Sequence, residues 1–325
     1  MSAISSDIGT IGSGVDRARV LSWLRDYGVY AAIVLLVVVD TALNPAFLAV
    51  GDLRVQVFQL VPTLFVSLGM ALVIATEGVD LSVGAVIALA ASLIPLYLGY
   101  SAYIAIVVCA VGGALAGAVN GLMVALAKVQ PIVATLAMMI GLRGVAVIFN
   151  GNQAKPVDDP VLGAIGLNGV FGVPIMAIAA IVVVLLVLFV VRRSTFGRQL
   201  VAVGDNRAAS VLAGLPVRRV LLSVYVISGV LAALAGVLLV GHGAEADPAN
   251  QGLNIELAAI TAVVVGGTPL TGGRIRVLGT VAGALFMQLL SATLIQHDVP
   301  NSYAQIAEAV IICLAVYAAR DRSGR

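Results

Sequence analysis

The chain has 325 residues, 61% of them apolar and only 10% charged, with a formal net charge of +2. A soluble domain carries about 25% charged residues, and a folded surface of this size still has to be covered with polar groups. A water-soluble globular fold is therefore excluded, and a lipid bilayer is the solvent that fits. A membrane-spanning strand alternates apolar and polar side chains, whereas the apolar runs here are continuous and of about 20 residues, the length of a spanning helix. The expected fold is an all-α polytopic membrane protein.

Taken in chain order, residues 1–27 are polar, Ser/Gly-rich and basic, without an early apolar core or cleavage site, and read as a cytoplasmic tail rather than a signal peptide. Trp23 stands where an interfacial anchor belongs. About ten spans follow within a transmembrane domain over 28–319. They lie near 28–44, 55–76, 80–99, 101–127, 131–150, 171–191, 218–241, 254–268, 275–295 and 302–319. Only Glu77-Gly78-Val79-Asp80 parts the second from the third. The eighth is short for a crossing and reads as broken or re-entrant; two re-entrant segments would reduce the count to eight. The 35 glycines suit close helix approach in lipid, the run Gly112 to Ala118 above all. A long outer loop is expected over Gly151–Gly169 and an ordered inner loop over about 192–217, with a second tail at 320–325.

Charge orients this map. With the N-terminus in the cytoplasm, every basic residue except Arg54, Arg143 and Lys155 falls on the cytoplasmic side, as the positive-inside rule demands. The outer loops carry Asp158, Asp159, Glu245, Asp247 and Asp298 instead. Both termini are thus expected in the cytoplasm of a bacterial cell, around a multi-pass inner-membrane domain. Cys109 and Cys313 lie in apolar segments and read as small hydrophobes. His242 and His297 are isolated, so neither metal spacing nor a nucleophile triad is present, and no catalytic residue is expected. A faint internal echo links Gly78–Gly84 with Gly267–Gly273, as repeated halves would; chance similarity of Gly-rich turns accounts for it equally well.

Four stretches carry a resemblance: Ala71 to Ala85, Gln130 to Leu136, Thr195 to Gly214, and Val265 to Arg274. In order and spacing, from about residue 30 to 319, they resemble the permeases of the ribose/xylose/galactose class of ABC importers. The segment Ala244 to Glu256 is most similar to galactofuranose-type permeases. Where those show a second glycine, this chain has Glu77.

The resemblance implies a monosaccharide importer, pentose or hexose, with a furanose form among the candidates. It implies two permease subunits, identical or sister chains, an ABC ATPase beneath them, and a periplasmic or lipid-anchored sugar-binding protein above; no nucleic acid is expected. No Gly-x-x-x-x-Gly-Lys-Ser/Thr phosphate loop occurs in the chain, so ATP-Mg belongs to the partner subunit and no cofactor is expected here.

The residues themselves suggest where the work is done. Gly204, Asp205, Asn206, Arg207, Ala208, Ala209, Leu212 and Gly214 read as one short helix. Asp205 or Asn206 can cap its start, and Gly214 its end. The resemblance makes this the coupling helix that docks on the ATPase; a surface helix without a partner is the bland alternative. Asp80, Ser82, Asn120, Gln130, Thr135, Arg143, Asn254 and Glu256 are candidates for the translocation pathway, because polar groups at membrane depth normally face a cavity or a partner. For each a helix–helix bond competes with a ligand role: Arg143 reads as an ion pair or helix tie, Asp80 as an N-cap or pathway residue. A rival class is an ion-coupled secondary transporter using Asp40, Asp80, Glu256 and Glu308 as buried ion sites.

Overall fold

The computed structural model describes residues 14–43 and 45–296 and positions 302, 303, 306 and 309–311, with side chains from residue 28 onward except 45 and 46. Most of the expected last span, the tail at 320–325, the first residues of the N-terminal tail, the Trp23 side chain, His297, Asp298, Glu308 and Cys313 lie outside the described residues.

The chain opens with α1 (Gly14–Leu43) and a 3₁₀ turn (Pro45–Leu48), then α2 (Val50–Ile74), α3 (Val83–Tyr97), α4 (Ala102–Ala125) and α5 (Pro131–Phe149). The stretch that follows α5 holds β1 (Lys155–Pro156), α6 (Pro160–Leu167) and the hairpin of β2 (Gly169–Val170) and β3 (Val173–Pro174). Next come α7 (Ile175–Arg193), α8 (Thr195–Asp205), α9 (Arg207–Leu212), α10 (Val217–Gly243), β4 (Glu245–Ala246), α11 (Ile255–Val265) and α12 (Val277–Gln296). Each expected span up to residue 295 coincides with a helix. Six helices among the described residues are long and apolar enough to cross a membrane, whereas Gly28–Leu43, α3 and α11 are shorter. The protein is a helical polytopic membrane protein, and these helices leave the number of crossings unfixed. The short α11 has a geometric meaning. Its 11 residues cover about 16 Å at 1.5 Å per residue, roughly half the hydrocarbon thickness. It is a half-helix fed by the irregular segment 247–254.

The centre of the bundle is α2 and α10. From Val61 to Ile74 α2 is buried apart from Thr63, and α10 is buried over most of its length. Apart from Arg192 and Arg193 at the end of α7, the exposed side chains of α4, α5 and α7 are mostly apolar, among them Leu115, Ile140 and Leu186, as a lipid-facing surface requires. The glycines of α4 set its distance from α10. A Cβ on Gly113 would land on the Gly229 carbonyl, one on Gly117 on the Tyr225 carbonyl, and one on Gly121 would lie 2.8 Å from Leu222. Spaced four apart, the three lie on one helix face and let the backbones touch.

The two expected outer loops are tied together. Lys155 of β1 pairs with Ala246 of β4, and the Asn150 amide donates to the carbonyls of Gln153 (2.6 Å) and Ala246 (3.0 Å). Asp159 caps α6 by accepting from the Val161 and Leu162 N–H groups at 2.8 and 3.0 Å.

The internal echo corresponds to two helix ends of the same type, offset by one residue from the sequence register. At the end of α2, Glu77 N–H donates to Ile74 O (2.9 Å) and Gly78 N–H to Val73 O (3.1 Å); at the end of α11, Gly267 N–H donates to Val264 O (2.9 Å) and Thr268 N–H to Val263 O (3.1 Å). Both ends turn through a left-handed residue, Glu77 at φ 62° and Gly267 at φ 87°. This is the helix-end geometry glycine favours. Glu77 holds it at a cost of about 1 kcal/mol, so Glu77→Gly is expected to stabilise the protein by about that amount. A thermal melt in detergent reads the gain; a lowered midpoint would show that the Glu77 side chain contributes more than its backbone costs.

Candidate functional site

Polar groups gather in two places inside the bundle and one on its surface. The first inner group surrounds the break between α2 and α3. Asp80 is 1% exposed. Its Oδ1 accepts from the Ser82 N–H (3.1 Å), the Ser82 hydroxyl (2.7 Å) and the Asn120 amide (3.4 Å), and its Oδ2 from the Ser228 hydroxyl (2.9 Å). Asn120 also donates to Ser82 Oγ at 2.7 Å, and the Thr135 hydroxyl of α5 reaches the Val79 carbonyl at 3.2 Å. Of the sequence candidates, Asp80, Ser82, Asn120 and Thr135 are thus brought together, all buried. The N-cap reading of Asp80 is corrected: Ser82 occupies the N-cap position of α3, and the Asp80 carboxylate turns toward α4 and α10, where three donor side chains converge. Ser228 was not foreseen. A lone hydroxyl in an apolar span gives little signal, although Tyr225 and Ser228, three apart, mark one face of α10.

The second inner group lies where the chain enters α11. Arg143, midway along α5, donates from Nη1 to the carbonyls of Pro248 (3.3 Å), Ala249 (3.3 Å) and Gln251 (3.4 Å), and from Nη2 to that of Gly252 (3.3 Å). The planar guanidinium suits this fan of acceptors. Arg143 is therefore a helix tie. Glu256, in the first turn of α11, lies within its electrostatic reach. Asn254 is exposed in a left-handed conformation with φ 61° and makes no side-chain cap. Gln130 precedes α5, exposed and also without a cap bond. Neither joins the Asp80 group. Elsewhere Gln288 donates to Gln56 (3.2 Å) and Gln59 (2.7 Å), linking α12 to α2.

The surface group is the 192–217 loop. The helix expected between an Asp205 or Asn206 cap and Gly214 is α9, and a second helix, α8, precedes it. Gly204 belongs to α8 and is buried, because α8 packs down against the end of α2, where a Cβ at this position would meet the Ala75 carbonyl. The break comes at Asn206, whose Oδ1 accepts from the Ala209 N–H at 2.9 Å. Asp205 closes α8, and Arg207, Ala208, Ala209 and Leu212 form α9. Gly214 is left-handed at φ 73° just past the end of α9. Ala208 and Ala209 are exposed, and Leu212 is 90% and Val211 60% exposed. Two large apolar side chains therefore stand out of an otherwise polar loop.

Fold and site together define a multi-helix membrane protein with buried polar groups between its helices and an apolar knob on the loop between α7 and α10. Residues 56–316 match the family of branched-chain amino acid transport system permease components, and the chain belongs to it. The chain is 36% identical to the ribose import permease protein of Escherichia coli (strain K12), over 91% of this chain and 94% of that one. It is 34% identical to the galactofuranose transporter permease protein of the same strain, over 90% and 89%. It is 32% identical to the fructose import permease protein of Bifidobacterium longum (strain NCC 2705), over 87% and 85%. No solved structure matches the chain. The resemblance read from its motifs therefore holds: the protein is a multi-pass inner-membrane transport permease, not an enzyme.

Proposed function

We propose that the chain is the membrane-spanning permease of an ATP-driven importer of a neutral monosaccharide. The observation that carries this is similarity over nearly the whole chain to permeases named for ribose, galactofuranose and fructose. The family description names branched-chain amino acids, so the solute has to be tested. The polar residues at membrane depth favour a sugar: apart from Asp40, Asp80, Arg143 and Glu256 they are mainly amides and hydroxyls, and no basic cluster awaits an anion. A furanose form is the first to try, given the likeness of the segment Ala244 to Glu256.

In this reading both termini and the 192–217 loop are cytoplasmic, and α9 offers Leu212 and Val211 to a separate ABC ATPase. A second permease subunit, identical or a sister chain, completes the path. A sugar-binding protein docks on the outer face formed by β1, β4 and α6. The path runs along α5 and the start of α11, where Gln130, Arg143, Asn254 and Glu256 are at least partly exposed. Asp80, Ser82, Asn120 and Thr135 stand behind it as bonded structure. The permease binds no cofactor; ATP-Mg is the ATPase's.

The test is competition. The permease is reconstituted with its ATPase and binding protein, and uptake of labelled ribose and galactose is measured against an excess of leucine, isoleucine or valine. Sugar uptake unaffected by the amino acids is the expected result. Amino-acid uptake in place of sugar uptake would overturn the substrate class.

A further inference from the structure

Residues 75–82, which join α2 to α3, are held from two sides. On the surface side, Gly204 of α8 packs on the Ala75 carbonyl, which also accepts the Gly273 N–H at 3.1 Å, and Arg207 of α9 donates from Nη2 to the Thr76 carbonyl at 3.5 Å. On the inner side, Asp80 gathers Ser82, Asn120 from α4 and Ser228 from α10. One short segment therefore connects the loop expected to meet the ATPase with two helices of the bundle.

The joint is only partly satisfied. Asn120 Oδ1, the Tyr225 hydroxyl and Arg207 Nε are buried without a hydrogen-bond partner. Buried polar groups are nearly always paired, and an orphan is costly because it has lost water without replacement. Three orphans meet here. The Tyr225 hydroxyl lies against Gly78, 2.7 Å from where a Cβ would stand, and within electrostatic reach of both Asp80 and Arg207. A phenol can donate to a carboxylate or accept from a guanidinium, and here it does neither although both groups are near. Unmade bonds between neighbouring groups are what an element with a second position would show.

We infer that Asp80 is a positioning residue for transport: with Asn120, Ser228 and Tyr225 it forms a two-position joint through which movement of α9, delivered by Arg207, reaches α4 and α10. A carboxylate suits the hub because four donors converge on it and it accepts without donating. This role rests on the reading that α9 docks on an ATPase. It differs from lining the path, since Asp80 touches no open face.

The test uses the full complex of permease, ATPase and binding protein in proteoliposomes and reads sugar delivered per ATP hydrolysed. Tyr225→Phe removes one orphan hydroxyl. It is expected to raise the melting temperature of the permease while lowering sugar per ATP about 5-fold or more, a pairing that a merely structural role does not produce. Arg207→Ala is expected to lower the ratio by a similar factor. The double variant should be no worse than the poorer single one, because both act through one joint. Asp80→Asn should behave like Tyr225→Phe in the ratio; if it does not assemble, the Tyr225 and Arg207 pair decides. An unchanged ratio in Tyr225→Phe, or losses that multiply in the double variant, would overturn the inference. Absence of ATP-driven sugar uptake in the wild-type complex would instead remove the importer reading, and the joint with it.

Discussion

Gly117→Val is expected to deplete the folded permease from the membrane. A Cβ at Gly117 falls on the Tyr225 carbonyl, and the neighbouring glycines Gly113 and Gly229 already touch each other's backbones. Neither obstacle is a side-chain tip that can swing away. The helices must part along their whole crossing, and in lipid no hydrophobic effect pulls them back together. The cost lies at or beyond the upper end of overpacking, about 3 kcal/mol, a large share of a total stability of about 5–15 kcal/mol. Gly163→Ala is the control, because nothing lies within 4 Å of a Cβ there. Membrane yield and detergent melting temperature are the readouts. A Gly117→Val protein with wild-type yield and midpoint would show that α4 and α10 do not meet as described.

The second large effect is expected at Leu212. Its side chain is 90% exposed, so Leu212→Glu leaves the bundle intact. If α9 docks on an ATPase as proposed, Leu212 is the apolar knob of that contact, and a carboxylate there would have to be desolvated on docking. Hot-spot losses run to about 2–4 kcal/mol, which corresponds to roughly 30-fold or more in affinity. Co-purification of the ATPase should fail, and sugar uptake should fall with it, while the permease reaches the membrane in normal amounts. Retained co-purification together with normal uptake would move the docking surface off α9.

These expectations draw on features of unequal visibility in the chain. The spans were legible because continuous apolar runs need no partner to be recognised. The half-helix α11 was legible too, since the run near 254–268 is too short to cross and is flanked by glycine and proline. Caps such as Asn206 and the left-handed Gly214 are decided by neighbours in sequence and could be read locally. The packing of α8 could not, because Gly204 rests against the carbonyl of Ala75, distant in sequence. The same holds for the Asp80 group, whose partner Ser228 is 148 positions away. That Arg143 ties elements together could be read from its place in an apolar span, but its partners could not, for they are backbone carbonyls that any residue type supplies. Glu77 lay in between: the sequence showed an acid where related permeases show glycine, and only its φ of 62° explains what the glycine is for.

The central claim is that the chain forms the path while a separate ATPase provides the energy. The most direct measurement is uptake of labelled sugar into proteoliposomes holding the permease, its ATPase and its binding protein, at fixed ATP, with proton and sodium gradients first present and then collapsed. The account predicts uptake that requires ATP hydrolysis and is indifferent to both gradients. Uptake driven by either gradient without ATP would contradict it and would return Asp40, Asp80 and Glu256 to consideration as ion sites.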